Sequence, residues 1–200
     1  MGMTKAIQER VFIQANLRCE TTRFICVRYG NVLASRGSVI PLFHDQIRSG
    51  GPVTITTSDM TRFLLSLDQA VDTIFAAYKE ANRGETYIPR VPSARVVDIA
   101  TALIGDLPIQ TIITGIRPGE KLHEILISEE ECHRSVERGN YYAILPMLPE
   151  LSNGQEYTAA LRNEFSSADN VMSPSGVVDM LRHHRLMLND NLQEDGELLR

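Results

Sequence analysis

A polar turn in the first quarter of the chain has the composition of an anion-binding site. Ser35, Arg36, Gly37 and Ser38 lie just before a predicted helix. The first turn of a helix presents unpaired backbone N–H groups, which favour a bound anion. Asn31 lies shortly before this turn and offers an amide donor and a carbonyl acceptor, so it suits a phosphate or sugar oxygen. For Ser38, capping of the helix is the stronger alternative.

Two arginines and a glutamate, Arg62, Arg117 and Glu120, are candidate ligands for a phosphate and a sugar. Arg62 lies at the edge of a predicted apolar strand, and Arg117 precedes a Pro-Gly turn that leads to Glu120. A guanidinium group can donate two hydrogen bonds to one phosphate. Arg62 could instead form a surface ion pair with Asp59 or Asp68, and Glu120 could simply complement the N-terminus of a helix.

The five histidines do not form a metal-binding pattern. Three of them are isolated, and His183 and His184 are adjacent, so one helical face cannot supply both as ligands. We therefore expect no metal site.

Strands and helices alternate along the chain, which predicts the α/β class. Predicted helices cover 3–18, 38–47, 68–83, 96–104, 120–127 and 177–188, and predicted strands cover 23–29, 53–57, 63–66, 86–88, 109–113 and 141–147. The segment 151–176 is predicted to be a loop. The strand 23–29 has the apolar centre of a parallel strand covered on both faces. No G-x-G-x-x-G motif occurs among the thirteen glycines.

Composition excludes several classes of protein. The 200 residues are 43% hydrophobic and carry a net charge of −5, which disfavours nucleic acid as a partner. No window approaches 18 consecutive apolar residues, so no membrane span is expected. Three separated cysteines suit a reducing compartment, and no secretory signal peptide is recognised, so we expect a cytoplasmic protein.

Four stretches, at residues 1–5, 28–41, 60–63 and 117–121, together resemble the carboxyl-terminal portion of an extended short-chain dehydrogenase/reductase. The similarity is greatest to the UDP-N-acetylglucosamine 4,6-dehydratases of polysaccharide and capsule biosynthesis, and it covers roughly residues 1–130. Each stretch alone is a weak signal, whereas their order and spacing together are specific.

The resemblance implies three regions. Residues 1–50 would be the carboxyl-terminal part of a Rossmann-like, doubly wound parallel sheet that binds NAD(P). Residues 51–135 would form a smaller α/β domain for the UDP-sugar, and residues 136–200 a partly irregular extension.

The resemblance also assigns roles to residues. Lys5 matches the lysine of the family's Tyr-x-x-x-Lys, where an ammonium beside the ribose hydroxyls fixes the nicotinamide, and Met1 falls on the tyrosine position. A thioether cannot exchange a proton, so Met1 is either the residue of a capsule-type subgroup or only an initiator. The implied cofactor contacts are Lys5, Tyr29 and Asn31, and the implied substrate contacts are Asn31, Ser35, Arg36, Ser38, Val53, Arg62, Arg117 and Glu120.

The implied reaction uses NADP, or NAD, as a catalyst that is regenerated in each turnover. The sugar is oxidised at C4, which acidifies the C5 proton; that proton and the C6 hydroxyl are then lost as water, and the hydride returns to C6. The implied substrate is a UDP-N-acetylhexosamine, and a homo-oligomer is expected.

Two other functions remain open at this point. A C4 epimerase of the same superfamily would return the hydride to the other face of C4, and a non-catalytic module would bind the UDP-sugar without redox chemistry. In the family, the acid and base of the elimination precede the lysine-bearing helix. We therefore expect a truncated chain that alone lacks turnover, binds NADP poorly, and associates or aggregates through exposed apolar faces.

Overall fold

The computed structural model describes residues 2–35, 37–152, 154 and 156–190. The chain forms two compact units that interleave along the sequence. The first unit comprises Met1–Tyr29, Leu67–Val91 and Ile125–Ser166, and the second comprises Gly30–Ser66, Pro92–Glu124 and Ser167–Arg200. The assignment of cofactor binding to residues 1–50 and sugar binding to 51–135 stays a prediction.

The α/β class is confirmed. The helices are α1 (Gly2–Ala15), α2 (Val39–Arg48), α3 (Leu67–Glu80), α4 (Val96–Ile104), α5 (Glu129–Cys132) and α6 (Pro174–His183), with a 3₁₀ turn at Pro149–Leu151. The strands are β1 (Cys26–Val27), β2 (Asn31–Val32), β3 (Val53–Ile55), β4 (Thr61–Leu65), β5 (Thr86–Pro89), β6 (Ser93–Arg95), β7 (Thr111–Ile113), β8 (Ile125–Ile127), β9 (Ser135–Arg138), β10 (Tyr141–Ile144) and β11 (Phe165–Ser166).

The first unit is built on a mixed sheet in the order β1-β5-β10-β9. β1 runs parallel to β5, with Cys26 opposite Thr86, whereas β10 is antiparallel to both β5 and β9. The described sheet is therefore parallel in one strand pair rather than throughout. β1 lies at its end and is only half-buried, so the prediction of a strand covered on both faces is not met.

Helix α3 packs on this sheet through its small side chains. Ala77 is fully buried and packs against Tyr87 of β5, which is also fully buried. Small side chains let the helix approach the sheet closely. The larger apolar face, which the sequence places on one side of the helix, is exposed, with Phe75 57% and Tyr78 69% accessible.

The second unit contains the sheet β2-β4-β6 and the parallel pair β3-β7. Its core joins side chains of α2, β3, α4 and α6, including Phe43, Ile55, Ile99 and Leu181. Helix α4 has the predicted bounds and ends at Gly105, whose φ of 55° is unfavourable for other residues. Helix α6 begins three residues before the predicted start, because Ser173 accepts a hydrogen bond from the Gly176 N–H.

The predicted helix over 120–127 is wrong. Its end is strand β8, which pairs with β11. A helix would use the Leu122 carbonyl for an intrahelical bond, but here that oxygen accepts from the backbone N–H of Thr61 and from the guanidinium of Arg62. Competition from β4 thus removes the acceptors that a helix needs.

Candidate functional site

The Glu120 carboxylate is held at the carboxyl end of β3. One of its oxygens accepts from Thr56 Oγ1 at 3.2 Å, and the other accepts from the Arg117 backbone N–H at 3.2 Å. The parallel pairing of β3 and β7 brings the segment after β7 to Thr56, since the Gly115 N–H donates to the Thr56 carbonyl. A carboxylate has about four acceptor positions, so Glu120 keeps capacity for ligand hydroxyl groups.

The turn before Glu120 presents Arg117 to solvent. Gly115 and Gly119 adopt φ values of 84° and 81°, a backbone conformation that other residues rarely take. The Arg117 side chain is exposed, and no hydrogen bond or ion pair of its guanidinium is found among the described residues. This guanidinium is therefore available to an anion.

The Arg62 guanidinium also binds the segment that contains Glu120. It donates to the carbonyls of Thr61, Leu122 and Lys121 at 2.7, 3.2 and 3.0 Å, and Nε lies 3.6 Å from a Glu124 oxygen. Three of its five N–H groups are thus engaged by carbonyls. Arg62 fixes the backbone after Glu120; direct binding of a diphosphate by Arg62 stays a prediction.

The sequence analysis did not identify a cluster formed by His123 and the buried hydroxyl groups of Thr61 and Ser167. Thr61 Oγ1 lies 2.8 Å from His123 Nδ1 and 2.7 Å from Ser167 Oγ. The sequence gives no signal for this cluster, because His123 and Ser167 are 62 and 106 residues from Thr61 and lie outside the four recognised stretches.

The turn before α2 lacks the predicted side-chain cap. Ser38 is the N-cap residue, but its side chain makes no capping bond, and its Oγ is buried without a partner among the described residues. Asn31 is exposed on β2 opposite Leu64, and Ser35 is half-buried. Arg36 lies outside the described residues.

Val53 differs from the other predicted substrate contacts because its side chain is fully buried. It belongs to the apolar core of the second unit, and its backbone N–H donates to Gln110. Its described contacts serve packing and strand pairing, and a role in substrate binding stays a prediction.

The predicted cofactor residues that the structure describes in the first unit are exposed. Lys5 lies in the first turns of α1, with Nζ 3.4 Å from Gln8 Oε1, and Tyr29 is 41% accessible. Met1 lies outside the described residues. The contacts of Lys5 and Tyr29 with a cofactor stay predictions.

One turn after Lys5, Glu9 forms part of an ion-pair cluster that the sequence did not reveal. Arg28 of the first unit binds both Glu9 and Glu131, and it also donates to the Leu126 carbonyl at 3.0 Å. A cavity of about 350 Å³ lies beside this cluster, with largely apolar walls from α1 and from residues 144–148.

The predicted site residues are divided between the two units. Arg117 and Glu120 belong to the segment 115–124 of the second unit, and the Arg62 guanidinium of β4 donates to carbonyls of the same segment. Lys5 and Tyr29 belong to the first unit.

The α/β fold and this polar segment accompany a clear family relationship. Residues 1–146 match the family described as "Polysaccharide biosynthesis protein". The chain belongs to this family of extended short-chain dehydrogenases/reductases, as the sequence motifs predicted.

Relatives give the family match more detail. A Campylobacter jejuni protein named UDP-N-acetylglucosamine 4,6-dehydratase (inverting) is 40% identical over 78% of this chain and 47% of its own length. A Rickettsia bellii protein named UDP-glucose 4-epimerase is 42% identical over 72% of this chain and 43% of its own. The chain therefore spans about half the length of these curated relatives.

A solved structure supports the fold directly. The X-ray structure of Pen from Bacillus thuringiensis superposes with a TM-score of 0.83 at 31% sequence identity, covering 93% of this chain and 57% of that one. The fold of the chain is thus shared with an experimentally determined protein.

Neither a metal site nor a membrane span is found in the part of the chain that the structure describes. They contain no group of three or more histidine, cysteine, aspartate or glutamate side chains arranged to hold a metal ion. Within the same part of the chain, every helix is too short or too polar to cross a bilayer.

The residues of this chain provide only part of a binding site for a dinucleotide cofactor. The exposed ammonium of Lys5 suits ribose hydroxyls, but the 200 residues contain no G-x-G-x-x-G turn to receive a pyrophosphate.

Proposed function

We propose that this chain supplies the UDP-sugar-binding part of an NAD(P)-dependent UDP-N-acetylglucosamine 4,6-dehydratase of surface polysaccharide biosynthesis. The family match and the 40% identical Campylobacter jejuni dehydratase support this reaction. When bound, NAD(P) would accept a hydride from the sugar and later return it. The contribution of the described residues is to bind and orient the nucleotide.

The observation that carries the proposal is the arrangement around Glu120. Its carboxylate is immobilised by Thr56 and by the Arg117 backbone, which prepares it to accept hydrogen bonds from ribose hydroxyl groups. The free guanidinium of Arg117 lies on the same turn and can bind phosphate oxygens in a two-pronged fashion. A carboxylate for a diol beside a guanidinium for a phosphate matches the two ends of a nucleoside diphosphate.

Isothermal titration of the chain with UDP tests the proposal without NADP. We expect saturable binding with one UDP per chain, and about tenfold weaker binding for Glu120→Gln and for Arg117→Ala, because a hydrogen bond to a charged group is worth roughly 1.5–3 kcal/mol. The matched control is Glu130→Gln, an exposed glutamate of α5, which should bind as the original does. No saturable binding, or an unchanged Glu120→Gln variant, would overturn the proposal.

A second candidate function is C4 epimerisation, favoured by the 42% identical relative named UDP-glucose 4-epimerase. The two reactions differ in mass balance, because dehydration removes water from the sugar and epimerisation leaves its mass unchanged. Mass spectrometry of the sugar nucleotide after the complete gene product is incubated with UDP-N-acetylglucosamine and NAD(P) separates them. Loss of water supports the dehydratase, whereas an isomer of unchanged mass supports the epimerase.

A further inference from the structure

A buried histidine joins α2 to residues 184–190, which are called the post-α6 segment below. His44 of α2 is 1% accessible, and its Nε2 atom lies 3.0 Å from the carbonyl oxygen of Leu186. A carbonyl oxygen only accepts hydrogen bonds, so Nε2 of His44 carries a proton and donates it. Leu186 is itself buried in the apolar core of the second unit, so this bond lies away from water.

The other ring nitrogen of His44 has no partner among the described residues, although Nδ1 is buried. A neutral imidazole carries one proton, and the bond to Leu186 places that proton on Nε2. A second proton would create a buried N–H without an acceptor, together with a positive charge that water does not reach. Both are costly, so the folded position of His44 strongly favours the neutral ring.

The charged groups around His44 act in both directions. Arg48 of α2 disfavours a positive ring, whereas Asp45 of α2 and Asp190 of the post-α6 segment favour it. Burial is the largest influence, and it lowers the pKa of His44 below the ordinary value of 6.5, although the bond to Leu186 raises it. A ring that becomes exposed to water regains the ordinary pKa, so protons bind preferentially to an opened state.

The turn that His44 holds has a conformational cost of its own. The Leu186 N–H donates to the Leu181 carbonyl and the Arg185 N–H donates to the Arg182 carbonyl, an arrangement that ends many helices. Arg185 has a φ of 53°, a conformation that glycine adopts more easily than other residues. The bond from His44 thus ties a turn with an unfavourable backbone conformation to another helix.

We propose that His44 is a pH-sensitive latch, which holds the post-α6 segment on α2 at neutral pH and releases this segment in mild acid. Release exposes the ring to water, where the ring takes up a proton. The contribution of the latch is therefore complete above pH 6.5, and the free energy of release decreases as the pH falls below that value. The latch lies within the second unit and needs no bound nucleotide.

Hydrogen–deuterium exchange at the Leu186 amide measures the opening of the latch. This amide donates to Leu181, so it exchanges when the turn opens. After correction for the intrinsic effect of pH on exchange, we expect its opening constant to rise about tenfold between pH 7.5 and pH 5.5. The amide of Leu103, buried in α4, should open more rarely at both pH values, because release of the segment is local.

The variant His44→Gln separates the hydrogen bond from the titration. Glutamine places an amide N–H near the position of Nε2, so this variant keeps a donor for Leu186 and has no group that binds a proton near neutral pH. We expect equal opening constants for this variant at pH 7.5 and pH 5.5. His183→Gln, at an exposed histidine next to the post-α6 segment, is the matched control and should retain the tenfold rise.

Nitrogen NMR of the original chain tests the latch without any substitution. The ring shifts of His44 at pH 7.5 should show a proton on Nε2 and none on Nδ1. A proton on Nδ1, or an opening constant of Leu186 that does not change with pH, would overturn the inference. It would also be overturned by a rise that persists in His44→Gln, or by equal opening of Leu186 and Leu103, because the whole unit would then unfold together.

Discussion

Arg28 and Glu131 form a two-pronged ion pair in which both N–O distances are 2.8 Å. Burial alone raises the pKa of Glu131, but the hydrogen bonds and charge of Arg28, together with hydrogen bonds from Ser128, outweigh burial and lower this pKa to about 2. The same cluster includes Glu9, so it ties β1 to both α1 and α5. The ionised carboxylate is therefore strongly favoured in the folded state.

This ion pair predicts loss of stability in acid. Because the folded pKa of Glu131 is below the ordinary value of 4.5, its contribution is complete above that pH and is lost as the pH falls toward 2. We expect the free energy of unfolding to decrease by roughly 2–3 kcal/mol across this window on account of Glu131. Urea unfolding followed by circular dichroism at several pH values measures the decrease.

The variant Glu131→Gln isolates this effect. It should be less stable at neutral pH and show a shallower pH dependence between about 4.5 and 2. Glu129→Gln, on the exposed side of α5, serves as the control and should follow the original curve. Identical slopes for the original chain and Glu131→Gln would contradict the prediction.

The close packing of Gly30 against β4 predicts that a larger side chain at this position lowers the free energy of unfolding. A Cβ atom added at Gly30 would lie well inside van der Waals contact with Phe63 Cβ and 3.0 Å from the Phe63 carbonyl oxygen. Since Phe63 is fully buried, the backbone of Gly30 would have to move and disturb the pairing of Asn31 with Leu64. We expect Gly30→Ala to destabilise the protein by about 1–3 kcal/mol.

Gly176→Ala is the matched substitution for this experiment. The nearest atoms to an added Cβ at Gly176 are Ser173 Oγ at 3.4 Å and Met172 Cβ at 3.7 Å, which are ordinary contacts. Chemical denaturation of both variants should therefore separate them by more than about 1 kcal/mol. Equal stability of the two variants would mean that Gly30 is free to accept a side chain.

The sequence predicted features that depend on neighbouring residues and missed features that depend on distant ones. Helix α4 was predicted correctly because its apolar run and the Gly105 stop are local signals. Strand β8 was mistaken for helix because its apolar residues do not reveal the pairing with β11, nearly forty residues later. The short strand β9 was missed because pairing with β10, rather than an apolar pattern of its own, defines it.

The candidate site shows the same division. Arg117 and Glu120 were singled out from the sequence because they belong to one recognisable turn, and the structure shows the hydrogen bond between the Arg117 N–H and the Glu120 carboxylate. His123 looked isolated in sequence, since its partners Thr61 and Ser167 meet it only through tertiary folding. The engagement of Arg62 by carbonyl oxygens was equally hidden, because backbone acceptors leave no trace in a sequence.

The exposed apolar face of α3 predicts self-association. Ile74 and Phe75 are 49% and 57% accessible, and Ile7 of α1 is 57% accessible. Apolar side chains clustered at a surface gain free energy when a second surface covers them. We expect the 22.4 kDa chain to elute above its monomer mass in size-exclusion chromatography with light scattering.

Lysine side chains on the apolar face of α3 should weaken the self-association. The double variant Ile74→Lys/Phe75→Lys is expected to lower the measured mass toward the monomer at equal protein concentration, with the secondary structure unchanged. Asp72→Lys places a lysine on α3 without removing apolar surface, and it should remain associated. A monodisperse monomer for the original chain would contradict the prediction.

Unequal reactivity of the three free thiols is the last prediction. Hydrogen bonds from Thr22 and Thr21 lower the pKa of Cys19 to about 7, whereas burial and the charge of Glu9 raise the pKa of Cys26 to about 11. The thiolate is the reactive form, and Cys132 is fully buried. Iodoacetamide at pH 7 should therefore modify Cys19 first and Cys26 at least about a hundredfold more slowly.

Peptide mass spectrometry over a time course measures the three rates, and the side chain of Thr22 provides the decisive variant. Thr22→Val removes the largest cause of the low pKa of Cys19, so its modification at pH 7 should slow several-fold and recover at higher pH. Thr111→Val, at an exposed position of β7, should leave the rate unchanged. If Cys26 reacted as fast as Cys19, β1 and α1 would have to separate in solution, because the Cys26 thiol contacts the Glu9 carbonyl of α1.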